Sequence, residues 1–216
     1  MIPKKSFLSL CAVSACFLIA PSVMAGSTAP SLKPVLAGKL HALEDTGFSE
    51  SRLGPKWQAV KGEWKIEDGK LSGKELKSDK HAAVLNLNIP NKDLVIEFDF
   101  TVEAGKMFSL SFNKKQGHLW RLKADEKGFA LVKDKDKKDP KSRPQVISTA
   151  SPGLEVGKTY RLQTEFKGDE ILIRSVDGSF KLGGRHPEFN QAKPNIRFVF
   201  TGESLAIDNL KVWELK

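Results

Sequence analysis

Three carboxylates, Glu97, Asp99 and Glu103, fall on the same side of the extended stretch DLVIEFDFTVE, because alternate residues of a strand share a face. Paired carboxylates about 5 Å apart would suit retaining cleavage of a glycosidic bond, one as nucleophile and the other as acid/base. Thr101 interrupts the acidic alternation, and Glu97, Asp99 and Glu103 therefore read as a solvated polar face. Histidine, which exchanges protons near neutral pH and ligates metals, occurs at positions 41, 81, 118 and 186, without a His-x-x-x-His spacing. His118 with Arg121, and His186 with Arg185, are the candidates for proton transfer; His118, His186 and Arg121 form the expected catalytic set. In GHLWRLK, His118 and Trp120 share a face and Arg121 takes the other, unless a bulge intervenes.

Sugar recognition also uses aromatic rings, since a pyranose presents an apolar C–H face to an indole. Of Trp57, Trp64, Trp120 and Trp213, the alternation makes Trp64 and Trp213 packing residues and Trp120 the better platform. Trp120, His81, Lys138 and Asp139 make up the expected ligand-binding set. Lys138 and Asp139 lie in KDKDKKDPKSR, residues 133–143, whose six basic and three acidic side chains predict a solvated loop. That loop serves either solubility or as a cationic lip beside a groove. DKDKKD lacks the glycine and closing glutamate of an EF-hand, and no zinc signature, phosphate loop or Gly-x-Ser-x-Gly elbow is present. Metal ligands and cofactor are not assigned, and a divalent ion is left open.

Strands must position these groups. Runs of alternating character recur from Trp57 onward: WQAVKG, EWKIE and KLSGK joined at Asp68-Gly69, AAVLNLNI, DLVIEFDFTVE, MFSLSFN, GHLWRLKAD and GFALVKD. Asp-Gly between two alternating runs is a strong hairpin signal. The last third, from TYRLQTEF to KVWELK, reads as five further strands, with a shift of phase at Asp208-Asn209 that predicts a bulge. A single helical turn is expected around FSESRL, residues 48–53. On the order of a dozen strands at this spacing predict an all-β fold, a two-sheet antiparallel jelly-roll sandwich.

Residues 1–25 carry Lys4 and Lys5, an apolar run and Val23-Met24-Ala25, the pattern of a secretory signal peptide cleaved after Ala25. Val13-Ser14-Ala15-Cys16 also fits a lipobox, although the apolar residues after Cys16 favour plain export. Both cysteines, Cys11 and Cys16, lie in this leader, so the expected mature chain relies on its core rather than on disulfides. Residues 26–40 predict a flexible lead-in and 41–216 a single sandwich domain. Without Lys4 and Lys5 the formal charge is +7, which in a periplasmic or extracellular protein favours an anionic polymer over nucleic acid. No transmembrane segment is expected in the mature chain.

With FKGDEILIRSVDGS and GESLAIDNLKVWE, preceded in order by FSESRLGPKWQAVKGEWKIEDGKLSGKE, HAAVLNLNIPNKDLVIEFDF and GHLWRLKADEKGFALVKDKDKKDPKSR, and with HPEFNQAK before the final strands, the chain resembles the concanavalin A-like lectin/glucanase superfamily. More narrowly it is similar to the 3-keto-disaccharide hydrolase domain family, described as family 16 glycoside hydrolase-like, across roughly Leu43 to Leu215. The resemblance implies a curved sheet that binds carbohydrate or polysaccharide and, in catalytic members, proton abstraction beside a keto group with a divalent ion in attendance. The family 16 pattern Glu-x-Asp-x-Glu fails at Thr101, and at Val102 in its longer form. The expected function is therefore an exported carbohydrate-binding or carbohydrate-active protein acting on 3-keto-glycosides if it is an enzyme. The alternative is a non-enzymatic envelope or matrix interaction protein.

Overall fold

The computed structural model describes residues 30–36 and 38–215; the expected leader, with Cys11 and Cys16, lies outside the described residues. Among the described residues thirteen strands run in chain order. They are β1 Leu40–Thr46, β2 Trp57–Lys61, β3 Glu63–Glu67, β4 Lys70–Lys74, β5 Ala83–Leu87, β6 Leu94–Asn113 and β7 His118–Asp125. β8 Gly128–Lys133, β9 Gln145–Ala150, β10 Thr159–Lys167, β11 Glu170–Ser175, β12 Lys181–Arg185 and β13 Ile196–Leu215 complete the set. All pairings are antiparallel.

The strands form one hydrogen-bonded surface folded into two layers by creases in β6 and β13. The first sheet runs β12-β11-β10-β6-β13-β4-β3, with β1 alongside the end of β13. The second runs β9-β8-β7-β6-β13-β5-β2, using the other halves of the same two long strands. The sequence pattern reads DLVIEFDFTVE and MFSLSFN as separate strands and gives the last third five. Instead DLVIEFDFTVE and MFSLSFN form one strand of 20 residues, as do the last two runs, so the last third has four strands. Gly105 and Gly202 face each other at the crease, where pairing continues through shifts of register and a strand end is not needed. A Cβ at Gly202 would lie 2.4 Å from the Gly105 Cα, so only hydrogen fits.

Alternation fills the space between the layers. Phe98 and Phe100 from the first half of β6 meet Phe108 from its second half, the latter pair stacked with centroids 4.3 Å apart. Phe112 and Trp120 of the second sheet meet Phe166 of the first edge-on. Leu71, Leu110, Leu162, Ile173, Phe198 and Ile207 continue the same buried cluster.

The hairpin at Asp68-Gly69 takes positive φ at both residues, and the bulge predicted at Asp208-Asn209 appears as a register shift between Asp208 and Lys211 with Asn209 at φ 50°. FSESRL forms no helical turn; the two short 3-10 turns lie at Lys77–Asp79 and Pro187–Phe189. Nor is Glu97 solvated, being 5% exposed. Residues 31–36, from the stretch expected to be a flexible lead-in, lie over it and are bonded to the first sheet.

Candidate functional site

On the outer face of the second sheet, polar residues stand in a row from strand to strand. Asn86 of β5 is opposite Arg197 of β13, which is opposite Ser111 of β6, itself opposite Arg121 of β7. The core-facing neighbours Leu85, Phe198, Leu110, Phe112, Trp120 and Leu122 orient this row by alternation, so the packing that builds the sandwich also aims the polar groups. Ser109, Ser111 and Asn113 share the same face of β6 and are nearly inaccessible between longer neighbours.

A bulge decides the geometry of β7. Phe112 pairs with Trp120 while the next residue, Asn113, pairs with His118, leaving Leu119 as the extra residue. Trp120, in regular register opposite Phe112 and in phase with Leu122, faces fully into the core, 0% exposed and stacked on Phe112 at 4.3 Å, so it cannot serve as a sugar platform. The same bulge carries His118 to the polar face that bears Arg121, resolving the parity problem. The electrostatic environment of His118 accordingly includes Asp134, Arg121, Arg197 and Lys137.

Hydrogen bonds fix the state of the imidazole. Asn113 Nδ2 donates to Asn195 Oδ1 at 3.1 Å, so Asn113 Oδ1 is an acceptor and takes the Nδ1–H of His118 at 2.9 Å. The Nε2 lone pair of His118 is left available. Partial burial lowers the His118 pKa below 6.5; Asp134 opposes that fall while Arg121, Arg197 and Lys137 add to it. A neutral ring of set orientation at pH 7 follows.

The two guanidinium groups differ. Arg121 is engaged by the buried carboxylate of Asp134, with its Nε at 3.2 Å and a second contact through Nη2. Arg197 is half-buried and donates from Nε to Asn86 Oδ1 at 2.9 Å, and no ion pair holds it among the described residues. Burial pulls its pKa down from the usual value.

The other expected residues do not join this row. His186 caps the 3-10 turn at Pro187–Phe189, its Nδ1 accepting from Glu188 N at 3.2 Å. His81 is exposed and bonds to Ala82 O. Asp139 Oδ1 accepts from Lys141 N and closes its own turn, while Lys138 reaches Gln116 at the rim of a shallow depression also lined by Lys114, Lys115, Asp136 and Gln191. The charged loop is shorter than expected, since Lys133 and Asp134 are buried in pairs with Glu188 and Arg121. Sequence reasoning passed over Asn86, Ser109, Ser111, Asn113, Asn195 and Arg197. The available signal was the choice of small amide and hydroxyl residues on the non-core face of VLNLN and MFSLSFN, where solvated strands carry longer polar side chains.

Among the described residues no group of three or more His, Cys, Asp or Glu could hold a metal ion. Among them also, no helix is long and apolar enough to cross a membrane.

No protein-family model matches the chain, and no curated protein matches it in sequence. Solved structures do match in fold. The carbohydrate binding module CBM66 from Bacillus subtilis superposes with a TM-score of 0.54 at 18% identity, over 72% of this chain and 93% of that one. SCLam, a non-specific endo-β-1,3(4)-glucanase from family GH16, gives 0.61 at 12% identity over 89% and 98%. A GlcNAcα1-4Gal-releasing endo-β-galactosidase from Clostridium perfringens gives 0.60 at 12% identity over 84% and 64%. The fold is thus the jelly-roll sandwich of concanavalin A-like lectins and glucanases.

Proposed function

We propose that this chain is an exported carbohydrate-binding sandwich that takes an anionic glycan on the outer face of the second sheet. The carrying observation is Arg197, a half-buried guanidinium without a carboxylate partner among the described residues, at the centre of a row of amides and hydroxyls. Arg197 suits a uronate carboxylate or a sulfate, and the buried Asn86 and Asn113 orient Arg197 and His118 rather than meeting the ligand themselves. Lys137 adds positive potential at His118, whereas Lys114 and Lys123 are paired with Asp136 and Asp125. Structural likeness to a carbohydrate binding module and to glycoside hydrolases supports the same reading. Calorimetric titration with neutral and acidic oligosaccharides tests it. An acidic glycan is expected to bind and Arg197→Met to weaken it about 10- to 100-fold, the worth of one charge-assisted hydrogen bond. Failure of every glycan to bind, or affinity unchanged in Arg197→Met, refutes the assignment and leaves the envelope or matrix interaction reading.

A catalytic reading, following the resemblance to the 3-keto-disaccharide hydrolase family, is favoured by one observation, the neutral and oriented His118. Its Nε2 would take the proton from C2 of a 3-keto-glycoside. The C–H electrons form a C1–C2 double bond, the C1–O bond breaks, and the departing oxygen is protonated by solvent. Transient charge on the keto oxygen would be held by Arg197. Turnover of a 3-keto-glucoside that is lost in His118→Gln is the expected result, and no turnover by the wild-type chain overturns it.

A further inference from the structure

The outer face of the first sheet holds a second constellation, unrelated to the row around Arg197. Glu97 of β6 is opposite Gln163 of β10, which is opposite Arg174 of β11, and Glu165 lies two residues further along β10. Glu165 and Gln163 are 0% exposed and Glu97 5%. Gln163 Nε2 donates to Glu97 Oε2 at 3.1 Å, while Arg174 Nη2 reaches Gln163 Oε1 at 2.6 Å and Glu165 Oε1 at 2.7 Å.

What these four side chains hold is main chain. Ser31 N donates to both oxygens of Glu97 at 3.2 and 3.0 Å, and Ser31 Oγ to one of them at 2.5 Å. Leu32 O accepts from Gln163 at 2.7 Å and Lys33 O from Arg174 at 2.9 Å. Val35 N and Leu36 N converge on a single oxygen, Glu165 Oε2, at 2.7 and 2.8 Å. Of these seven bonds only the one from Ser31 Oγ uses a side chain of the docked segment, and Val35 points to solvent, 65% exposed. Pro34, which has no N–H to offer, sits between the residues whose carbonyls are read and those whose amides are read.

We propose that this face is a peptide-binding site that reads an extended main chain, with residues 31–36 as its resident ligand in cis, and that it accepts an extended peptide segment of a partner protein when that resident is displaced. The chemistry favours a removable occupant. None of residues 30–36 belongs to the core cluster, so their departure uncovers the acidic side chains without opening the sandwich. Two carboxylates against one guanidinium leave the face acceptor-rich, and paired backbone N–H groups are the donors that an extended chain supplies. Tethering gives the resident the advantage of an effective concentration in the millimolar range, so a partner competes only when the resident is weakened or withdrawn.

The test uses the full chain with Ser31→Pro and Val35→Pro, which remove three donors of the resident (Ser31 N, Ser31 Oγ and Val35 N) and leave Glu97, Gln163, Glu165 and Arg174 in place. The probe is a capped synthetic peptide of residues 30–36, PSLKPVL. It is expected to bind this variant saturably, to bind the wild-type chain more weakly, and to lose about tenfold or more in affinity on adding Glu165→Gln or, separately, Glu97→Gln. Amide exchange in the wild-type chain should show Val35 and Leu36 protected, and deprotected in Glu165→Gln. No peptide binding at millimolar concentration, binding unaffected by both glutamine variants, or unprotected Val35 and Leu36 amides in the wild-type chain would each overturn the proposal.

Discussion

Lys193 offers a quantitative test of the packing between the sheets. Its side chain is 1% exposed, with Nζ donating to Lys92 O at 2.8 Å and Gln191 O at 2.9 Å and lying 4.6 Å from the centre of the Phe166 ring. Burial lowers its pKa from 10.5 to about 8, with Asp93 opposing and Lys92 reinforcing the shift. Because the folded value is depressed, the unfolded chain holds the proton more tightly between these two pKa values, and stability must rise with pH through that window. Two-state linkage with these values makes the gain about 2 kcal/mol between pH 7 and 9.5. Lys193→Met keeps the backbone pair to Asn91, which uses only main-chain atoms, and removes the titration. Urea denaturation of both proteins at several pH values isolates the contribution, since other titrating groups cancel in the difference. A flat difference, or one falling with pH, would refute the reasoning and show that two carbonyls and an aromatic face hold an ammonium better than water does.

Trp120→Ala should cost about 3 to 5 kcal/mol in chemical denaturation through the cavity it opens. Trp120→Phe removes an indole N–H that has no partner, should cost under about 1.5 kcal/mol, and should leave glycan affinity unchanged because the ring faces the core. Gly202→Ala places a methyl 2.4 Å from Gly105 Cα at a φ of +150°; a loss of roughly 3 kcal/mol or failure to fold is expected on thermal melting. For His118, whose folded pKa lies below 6.5, the unfolded chain binds the proton first as pH falls. The wild-type chain should thus lose stability below pH 6.5 more steeply than His118→Gln, as followed by melting temperature.

Local pattern was enough for most of the framework. Alternation about Phe98, Tyr160 and Leu205 identifies core faces, Asp68-Gly69 a hairpin, and Asp208-Asn209 a bulge, because each depends on neighbours along the chain. The creases at Gly105 and Gly202 escaped because glycine signals equally a chain reversal and a strand that bends without losing its partners. One residue, Leu119, moves His118 from the face of Trp120 to that of Arg121, and nothing in GHLWRLK marks which residue is extra. Glu97 becomes buried through Ser31, 66 residues away, a contact no periodicity can report. Arg197 likewise acquires its character from Asn86 and Ser111, distant in sequence and adjacent only through β13.

The central position of β13 has a kinetic meaning. β13 is hydrogen-bonded to β1, β4, β5 and β6, so it joins β1, β3–β4 and β2–β5 to the rest of both layers, and those layers are incomplete until residues 196–215 are in place. Without residues 196–215 the run β12-β11-β10-β6-β7-β8-β9 keeps its pairing, whereas β1 and the hairpin of β3 and β4 lose their link to it and the pair of β2 and β5 stands apart. Nucleation must also close long loops before its contacts reward it, which makes folding slow and late relative to synthesis. Closure of both layers over the shared core is thus timed by one strand, β13.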